Sequence, residues 1–257
     1  MKFLLPLFLC SSLFAQNITN LYVGQQLSVG MQLTTVPSAV GPTNILGGLI
    51  VWSKFGEGTG STTADSSGNG NTVTFYGGYS WTNGFVGPYA VTFDGINGNG
   101  SLPYNSTLNV NTFTISCWVY CNVQKYQHLI ARRSLSNYPF DLWIGGTGYK
   151  LRIGIVSGAG PTQTYMLDSE SGTTLSTGVW YHCVGVYDGS SIITYLNGVQ
   201  DNSDAASGTL FISTDVLNYA RAGADFSNTL NGGLDSVRLY NRALSAGEVL
   251  DLYNFEK

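Results

Sequence analysis

The stretch Gly233-Leu234-Asp235-Ser236-Val237-Arg238-Leu239-Tyr240-Asn241-Arg242-Ala243-Leu244-Ser245, continued by Ala246-Gly247-Glu248-Val249-Leu250-Asp251-Leu252-Tyr253, decides the reading of this chain. Leu234, Val237, Leu239 and Tyr240 supply the apolar and β-forming positions of a strand. Ser245-x-x-Glu248 is a capping box, in which the serine hydroxyl takes an amide of the first helical turn and the glutamate reaches back to the serine amide. A short helix therefore opens after Ser245. Val249, Leu250 and Tyr253 recur in it at three- and four-residue spacing and mark one apolar face.

Upstream, short β-rich runs repeat between clusters of Gly, Asn, Asp and Ser. Leu49–Phe55 and Tyr89–Asp94 are two of them, and others fall at 112–120, 127–133, 139–144, 149–156, 180–187 and 191–196. Asn197-Gly198 after the last is a strong tight-hairpin signal. With 33 glycines and only 10% charged residues, the composition fits many short strands joined by tight turns and not a helical protein. At 257 residues and 43% hydrophobic content the chain can bury a full core as one domain. A net charge of −4 offers no basic surface, which excludes nucleic acid as a partner class.

Lys2, the apolar run Phe3 to Phe14 and a small residue at Ala15 read as a signal peptide over 1–15. The run is too short for a comfortable membrane span, and Leu9 before Cys10 departs from a lipid-anchored leader. The mature protein is thus expected to be secreted or extracellular, with no membrane insertion. Residues 16–47, ending in Pro37-Ser38-Ala39-Val40-Gly41-Pro42, read as an N-terminal extension or linker. The domain is expected over 48–257.

Four blocks now stand in a recognisable order: Trp52 to Asn71, Phe93 to Val119, Gly178-Val179-Trp180-Tyr181-His182 through Tyr195-Leu196-Asn197-Gly198, and the terminal stretch. From residue 49 to 254 the chain resembles laminin-G-like domains of the concanavalin A-like lectin superfamily. That resemblance implies an all-β fold, an antiparallel two-sheet jelly-roll sandwich with a short C-terminal helix, and a role in surface binding rather than chemistry. Ser236 is a departure, because the family often places an acidic residue after Asp235. The strand motifs around Cys117 and Cys183 resemble the pentraxin branch, where the two cysteines are disulfide-bonded. An exported protein permits such a bridge, worth about 4 kcal/mol for so long a loop. Cys121 would be left over, and a Cys121–Cys183 bridge is the competing pairing.

Domains of this superfamily often hold calcium, which takes oxygens from carboxylates, amides and carbonyls. Asp65 and Asn71 in the Gly-rich turn, with Asp235, are the candidate ligands of a structural calcium ion; the same residue types also build unadorned turns. His128 and His182 lack zinc spacing, and no Gly-x-Ser-x-Gly elbow occurs. Glucanases of the superfamily need two carboxylates flanking the bond, commonly as Glu-x-Asp-x-x-Glu. Glu57, Glu170, Glu248 and Glu256 do not form that pattern, and Asp168-Ser169-Glu170 reads as a polar, solvated turn. No enzyme is expected.

The 16 Tyr and 5 Trp suit stacking on sugar rings. Trp52, Trp118 and Trp180 lie inside strand blocks and read as core. Rings in loops or at strand ends are the better carbohydrate-binding candidates: Trp81, Tyr138, Trp143 and Tyr149 first, with Tyr76 and Tyr79. Asn17, Asn99 and Asn105 begin N-glycosylation sequons. The expected function is a secreted, non-catalytic module that recognises carbohydrate or a glycosylated surface. An adhesion or structural-assembly protein with protein partners is the alternative, and a polysaccharide hydrolase comes third.

Overall fold

The computed structural model describes residues 44–133, 139–157, 164–223 and 228–257. The leader expected over 1–15, nearly all of the extension 16–47, Asn17 and Tyr138 lie outside the described residues. The strands run β1 Leu49–Ser53, β2 Thr62–Thr63, β3 Val73–Tyr76, β4 Tyr79–Asn83, β5 Tyr89–Asp94, β6 Asn99–Leu102, β7 Phe113–Cys121 and β8 Gln127–Arg132. They continue as β9 Phe140–Gly145, β10 Lys150–Ser157, β11 Thr164–Thr174, β12 Trp180–Tyr187, β13 Ser191–Leu196, β14 Val199–Ala205, β15 Leu217–Tyr219 and β16 Asn231–Tyr240. Among the described residues the α-helix, α1, spans Ala246–Glu256.

Two antiparallel sheets form the expected sandwich. The first has the order β14-β13-β12-β7-β16-β5-β4, with β1 also on β16; the second is β11-β10-β9-β8-β15-β6-β3-β2. Period-two alternation sends Phe113, Ile115, Cys117 and Val119 of β7 and Phe140, Leu142 and Ile144 of β9 into the core between the sheets. Gly185 of β12 lets the layers meet, since a Cβ there would lie 2.9 Å from Ile153 Cδ1 on the opposite sheet. At the β13–β14 hairpin Asn197 and Gly198 both take positive φ, 51° and 81°, as a two-residue type I′ turn requires.

β16 is shared by three neighbours. Its length lies along β7, its first half pairs with β5, and its second half with β1. The register shifts between Asp235 and Arg238, where Ser236 adopts a φ of +45°. This bulge sits where the flanking partner changes.

Both halves of the capping box are present: Ser245 N donates to Glu248 Oε2 at 2.8 Å, and Glu248 N donates to Ser245 Oγ at 3.3 Å. The apolar face differs from the expected one. Val249, Leu252 and Glu256 are buried, whereas Leu250 is 43% exposed. The helix lies on the outer face of the first sheet over Val184, Val186, Tyr195 and Tyr240. Its contact line follows the i, i+3, i+7 positions and turns Leu250 to solvent.

Beneath the helix is a buried polar clamp. Glu256 Oε2 accepts from Trp118 Nε1 at 2.8 Å, and Oε1 accepts from Ser236 Oγ and from Arg238 Nη1. His182 Nε2 and Ser116 Oγ are 2.8 Å apart. Burial, helped by Arg238, pushes the His182 imidazole down to about 3. Arg238 and Tyr240 are thus architectural, as their place in the strand suggested.

Removing one partner of a buried ion pair strands the other, at a cost of about 3–5 kcal/mol. Glu256→Ala is therefore expected to destabilise the fold by that amount in urea denaturation, and an effect below about 1 kcal/mol would contradict the clamp. His182 sets a pH dependence. Its folded pKa lies below the unfolded 6.5, so between about 6.5 and 3 the unfolded state holds a proton that the native state refuses. Stability should fall on acidification by up to about 1.4 kcal/mol per pH unit in that window. The difference between the native chain and His182→Gln, followed by denaturation from pH 7 to pH 5, should carry this slope.

Candidate functional site

Outward-facing residues of the second sheet form two rows across the strands. In one, Thr74 of β3 faces Ser101 of β6, which faces Asn218 of β15 and then Ala131 of β8. The row continues through Asp141 of β9 and Gly154 of β10 to Asp168 of β11. In the second, His128 pairs with Trp143, Trp143 with Arg152, and Arg152 with Glu170. A bulge between His128 and Ile130 turns His128 to this face while Ile130 stays in the core.

Although they point away from the core, Asn218, His128, Trp143 and Asp141 are all at most 4% exposed. His128 Nδ1 lies 3.0 Å from Asp141 Oδ1, and Arg133 Nη1 lies 3.5 Å from Asp141 Oδ2. A carboxylate can only accept, so His128 Nδ1 carries a proton, and the other ring nitrogen is Nε2. That Nε2 has no hydrogen-bond partner among the described residues, nor do Trp143 Nε1 and both amide atoms of Asn218. Leaving such a buried group unpaired costs about 1–3 kcal/mol. Four buried polar atoms on this face are thus left without a hydrogen-bond partner among the described residues. His182 Nδ1 and Tyr240 Oη, on the outer face of the other sheet, are also unpaired.

The face opens beside Ser101 into a cavity of about 460 Å³, lined also by Tyr76, Asn97, Asn99 and Arg221. Tyr76 is 54% exposed at its rim. Towards β11, Arg152 lies 5.7 Å from the Trp143 ring centre, bonds Asp168 Oδ2 through Nε at 3.0 Å and meets Glu170 at 2.9 Å. Lys150 also reaches Glu170, at 3.4 Å. Asp168 and Glu170 therefore face cations on a strand, which corrects their reading as a solvated turn: alternation along β11 points both outward beside Arg152.

Of the expected calcium ligands, Asp65 and Asn71 share one turn and Asp235 stands on β16. Asp65 Oδ1 accepts from the amides of Trp52 and Ser67 at 2.9 Å each, and Oδ2 from Asn71 N at 3.0 Å and Ser67 Oγ at 2.7 Å. Burial raises its carboxyl, but these amides and the hydroxyl outweigh burial and hold it below the usual range. Asn71 donates to Ile50 O at 2.6 Å, and its Oδ1 accepts from Asn105 Nδ2. Asp235 belongs to a separate group: its Oδ2 accepts from Phe85 N at 2.8 Å and Val86 N at 3.0 Å, while burial raises its carboxyl. Donor hydrogens thus meet both oxygens of Asp65 and one of Asp235, whose Oδ1 has no hydrogen-bond partner among the described residues. Among the described residues no cluster of three His, Cys, Asp or Glu could hold a metal.

Cys117, Cys121 and Cys183 are free and buried. Cys117 does lie directly opposite Cys183. His182 N donates to Asn197 Oδ1 and its carbonyl accepts Asn197 N, so the His182 backbone faces β13 and that of Cys183 faces β7. The two cysteines are therefore a hydrogen-bonded pair, for which Cα atoms stand about 5.5 Å apart. A disulfide joins Cα atoms about 4.4–6.8 Å apart, so this register is compatible with the expected bridge. Burial pushes all three thiols up, Cys121 to about 12.

Of the aromatic candidates, Trp143 is on the face described, but its ring is buried beside Tyr126. Tyr149 sits at the β9–β10 turn with a φ of +51° and packs on the core. Trp81 is on the other sheet, donating through Nε1 to Gly60 O at 2.8 Å with its ring edge-on to Phe75, and serves packing. Asn99 is buried, and Asn105 caps a short 3₁₀ turn by accepting Thr107 N at 2.8 Å, so both sequon amides are engaged or enclosed. His128, Asp141 and Asn218 were not among the candidates. No helix of the described residues is long and apolar enough to cross a membrane.

Residues 93–250 match the family model described as the concanavalin A-like lectin/glucanases superfamily. No curated protein matches the chain. Among solved structures, it is similar to domain 4 of AbnA, a GH43 extracellular arabinanase from Geobacillus stearothermophilus, in complex with arabinotriose. The identity is 20% and the TM-score 0.64, over 80% of this chain and 98% of that one. It is also similar to the binding domain of Paraclostridial Mosquitocidal Protein 1, with 18% identity and a TM-score of 0.65 over 82% of this chain and 52% of that one. The binding domain of Botulinum Neurotoxin DC in complex with SialylT gives 13% and 0.62 over 83% and 52%. The chain thus spans about half the length of the two toxin fragments.

The cysteine geometry is open to direct measurement. Alkylation of the denatured, unreduced protein should label Cys117, Cys121 and Cys183 alike, read by peptide mass. Two of the three remaining unlabelled until reduction would show the bridge.

Proposed function

The chain belongs to the concanavalin A-like lectin/glucanases superfamily, and from that premise we propose that it is an exported, non-catalytic module that binds a neutral oligosaccharide on the outer face of its second sheet. The observation that carries this reading is the set of unpaired buried atoms at His128, Trp143 and Asn218. Sugar hydroxyls are at once donors and acceptors. A hydroxyl can donate to His128 Nε2, another can accept from Trp143 Nε1, and the Asn218 amide can do both to one neighbouring pair.

Charge argues for a neutral ligand. Arg152 is answered by Asp168 and Glu170, Lys150 by Glu170, and Arg133 by Asp141. Because these carboxylates are tied to cations, they do not stand free to flank a glycosidic bond, which favours binding over hydrolysis. The cavity beside Ser101 and the exposed Tyr76 ring at its rim extend the surface for a second sugar unit. The arabinotriose complex of the similar arabinanase domain supports a chain of neutral sugars as the occupant.

Asn218→Leu separates binding from structure. If the amide serves only a ligand, removing it should raise folding stability by about 1–3 kcal/mol, because an unpaired buried group is lost. Affinity for a neutral oligosaccharide identified on a glycan array should fall at least about tenfold. Trp143→Phe should lower affinity while retaining the packing of the ring. A variant destabilised by Asn218→Leu with unchanged glycan affinity, or an array without neutral binders, would overturn the reading.

A further inference from the structure

On the other sheet, beside the end of α1, a second pocket of about 270 Å³ lies between Trp52, Lys54, Val86, Pro88, Arg238 and Phe255. At roughly 30 Å³ for each water of liquid it has room for about nine waters, or one small ring carrying a short side arm. The Trp52 indole is fixed in its wall, with Nε1 donating to Ser236 Oγ at 3.4 Å and the Arg238 guanidinium 4.2 Å from the ring centre. Gly56 and Gly87 leave the space above them open, for a Cβ at either would meet nothing within 4 Å.

The two cations of this pocket differ. Arg238 is neutralised by the buried Glu256 carboxylate. The Lys54 ammonium rests 3.9 Å from the Trp52 ring centre, and among the described residues no carboxylate pairs with it. The nearest acidic side chain in sequence, Glu57, turns away to accept Ala64 N at 2.7 Å. The pocket therefore carries one positive charge without a paired carboxylate among the described residues, on a mostly apolar wall. Phe255 stands at the rim 70% exposed, although burying such a ring is worth about 1.5–3 kcal/mol. An unpaired cation, a fixed indole and an exposed phenyl around one concavity are complementary to a ligand that is anionic at one end and flat and apolar at the other.

We propose that this pocket binds a small organic anion, a carboxylate on a flat apolar body, with the carboxylate paired to Lys54 and the body held between Phe255, Val86 and Pro88. The Lys54 stem is exposed and flexible, so its ammonium can leave the indole to meet the carboxylate without moving the backbone. The site stands on the opposite sheet from the proposed saccharide face and does not depend on that reading.

The test uses the whole chain with phenylacetate and its uncharged isostere phenylacetamide, titrated by calorimetry or by quenching of tryptophan fluorescence. Phenylacetate should bind saturably and at least about tenfold more tightly than the amide. Lys54→Ala should reduce the acid to the level of the amide, while Lys54→Arg should keep the discrimination. Phe255→Ala should weaken both compounds. Lys54 is exposed, so these substitutions leave the fold intact. Equal binding of acid and amide, no binding of either, or unchanged affinity of Lys54→Ala for the acid would each overturn the proposal.

Discussion

β16 must serve three neighbours at once, and the rest of the molecule is arranged around that constraint. One strand can flank β7 along its length and still pair with two others only if they divide its free edge. The bulge at Ser236 is the dividing point. There Asp235 turns its carboxylate to the amides of Phe85 and Val86, so the β4–β5 connection is stitched to the place where one neighbour gives way to the next. The same bulge aims Ser236 Oγ at Glu256, which holds the helix. Pairing Leu49 with Tyr240 closes almost the whole domain in sequence, and contacts of such separation make for slow folding.

Polar side chains in this protein fall into two kinds. Asp65, Asp94 and Glu256 are surrounded by donors from their own loops or from the sheet beneath, and each defines a local shape. Asp94 gathers the amides of Ile96, Asn97 and Gly98 on one oxygen. The other kind includes His128, Trp143 and Asn218, which are held by packing or by one partner and leave atoms unanswered. Residues of the first kind account for the fold. Those of the second kind cost stability in the free protein, the usual mark of a surface shaped by something other than stability.

Much of the fold was legible in the residues. Strands with a hard apolar alternation, such as Phe113–Cys121 and Phe140–Gly145, were readable within a residue or two, and the capping box located the helix start. β11 and β14 were not, because Asp168-Ser169-Glu170 and Val199–Ala205 carry the residues of turns and become strands only through pairing with β10 and β13. The buried face of α1 depended on where the helix meets the sheet. The proposed saccharide face depends on strand order: Asn218 falls in one row with Ala131 and Asp141 because β15 inserts beside β8, which no local spacing reveals. One signal was present, however. An Asp inside the run Phe140-Asp141-Leu142-Trp143-Ile144 must face away from the core, and a histidine one strand earlier is its natural partner.

The register of Cys117 against Cys183 has a further consequence. With the sulfurs held as buried thiols and their ionisation suppressed by burial, they are poor nucleophiles and poor targets for oxidants. As free thiols they serve the sandwich as small apolar volume: Cys117 and Cys183 pack among Ile115, Val119 and Leu196 in the core between the sheets.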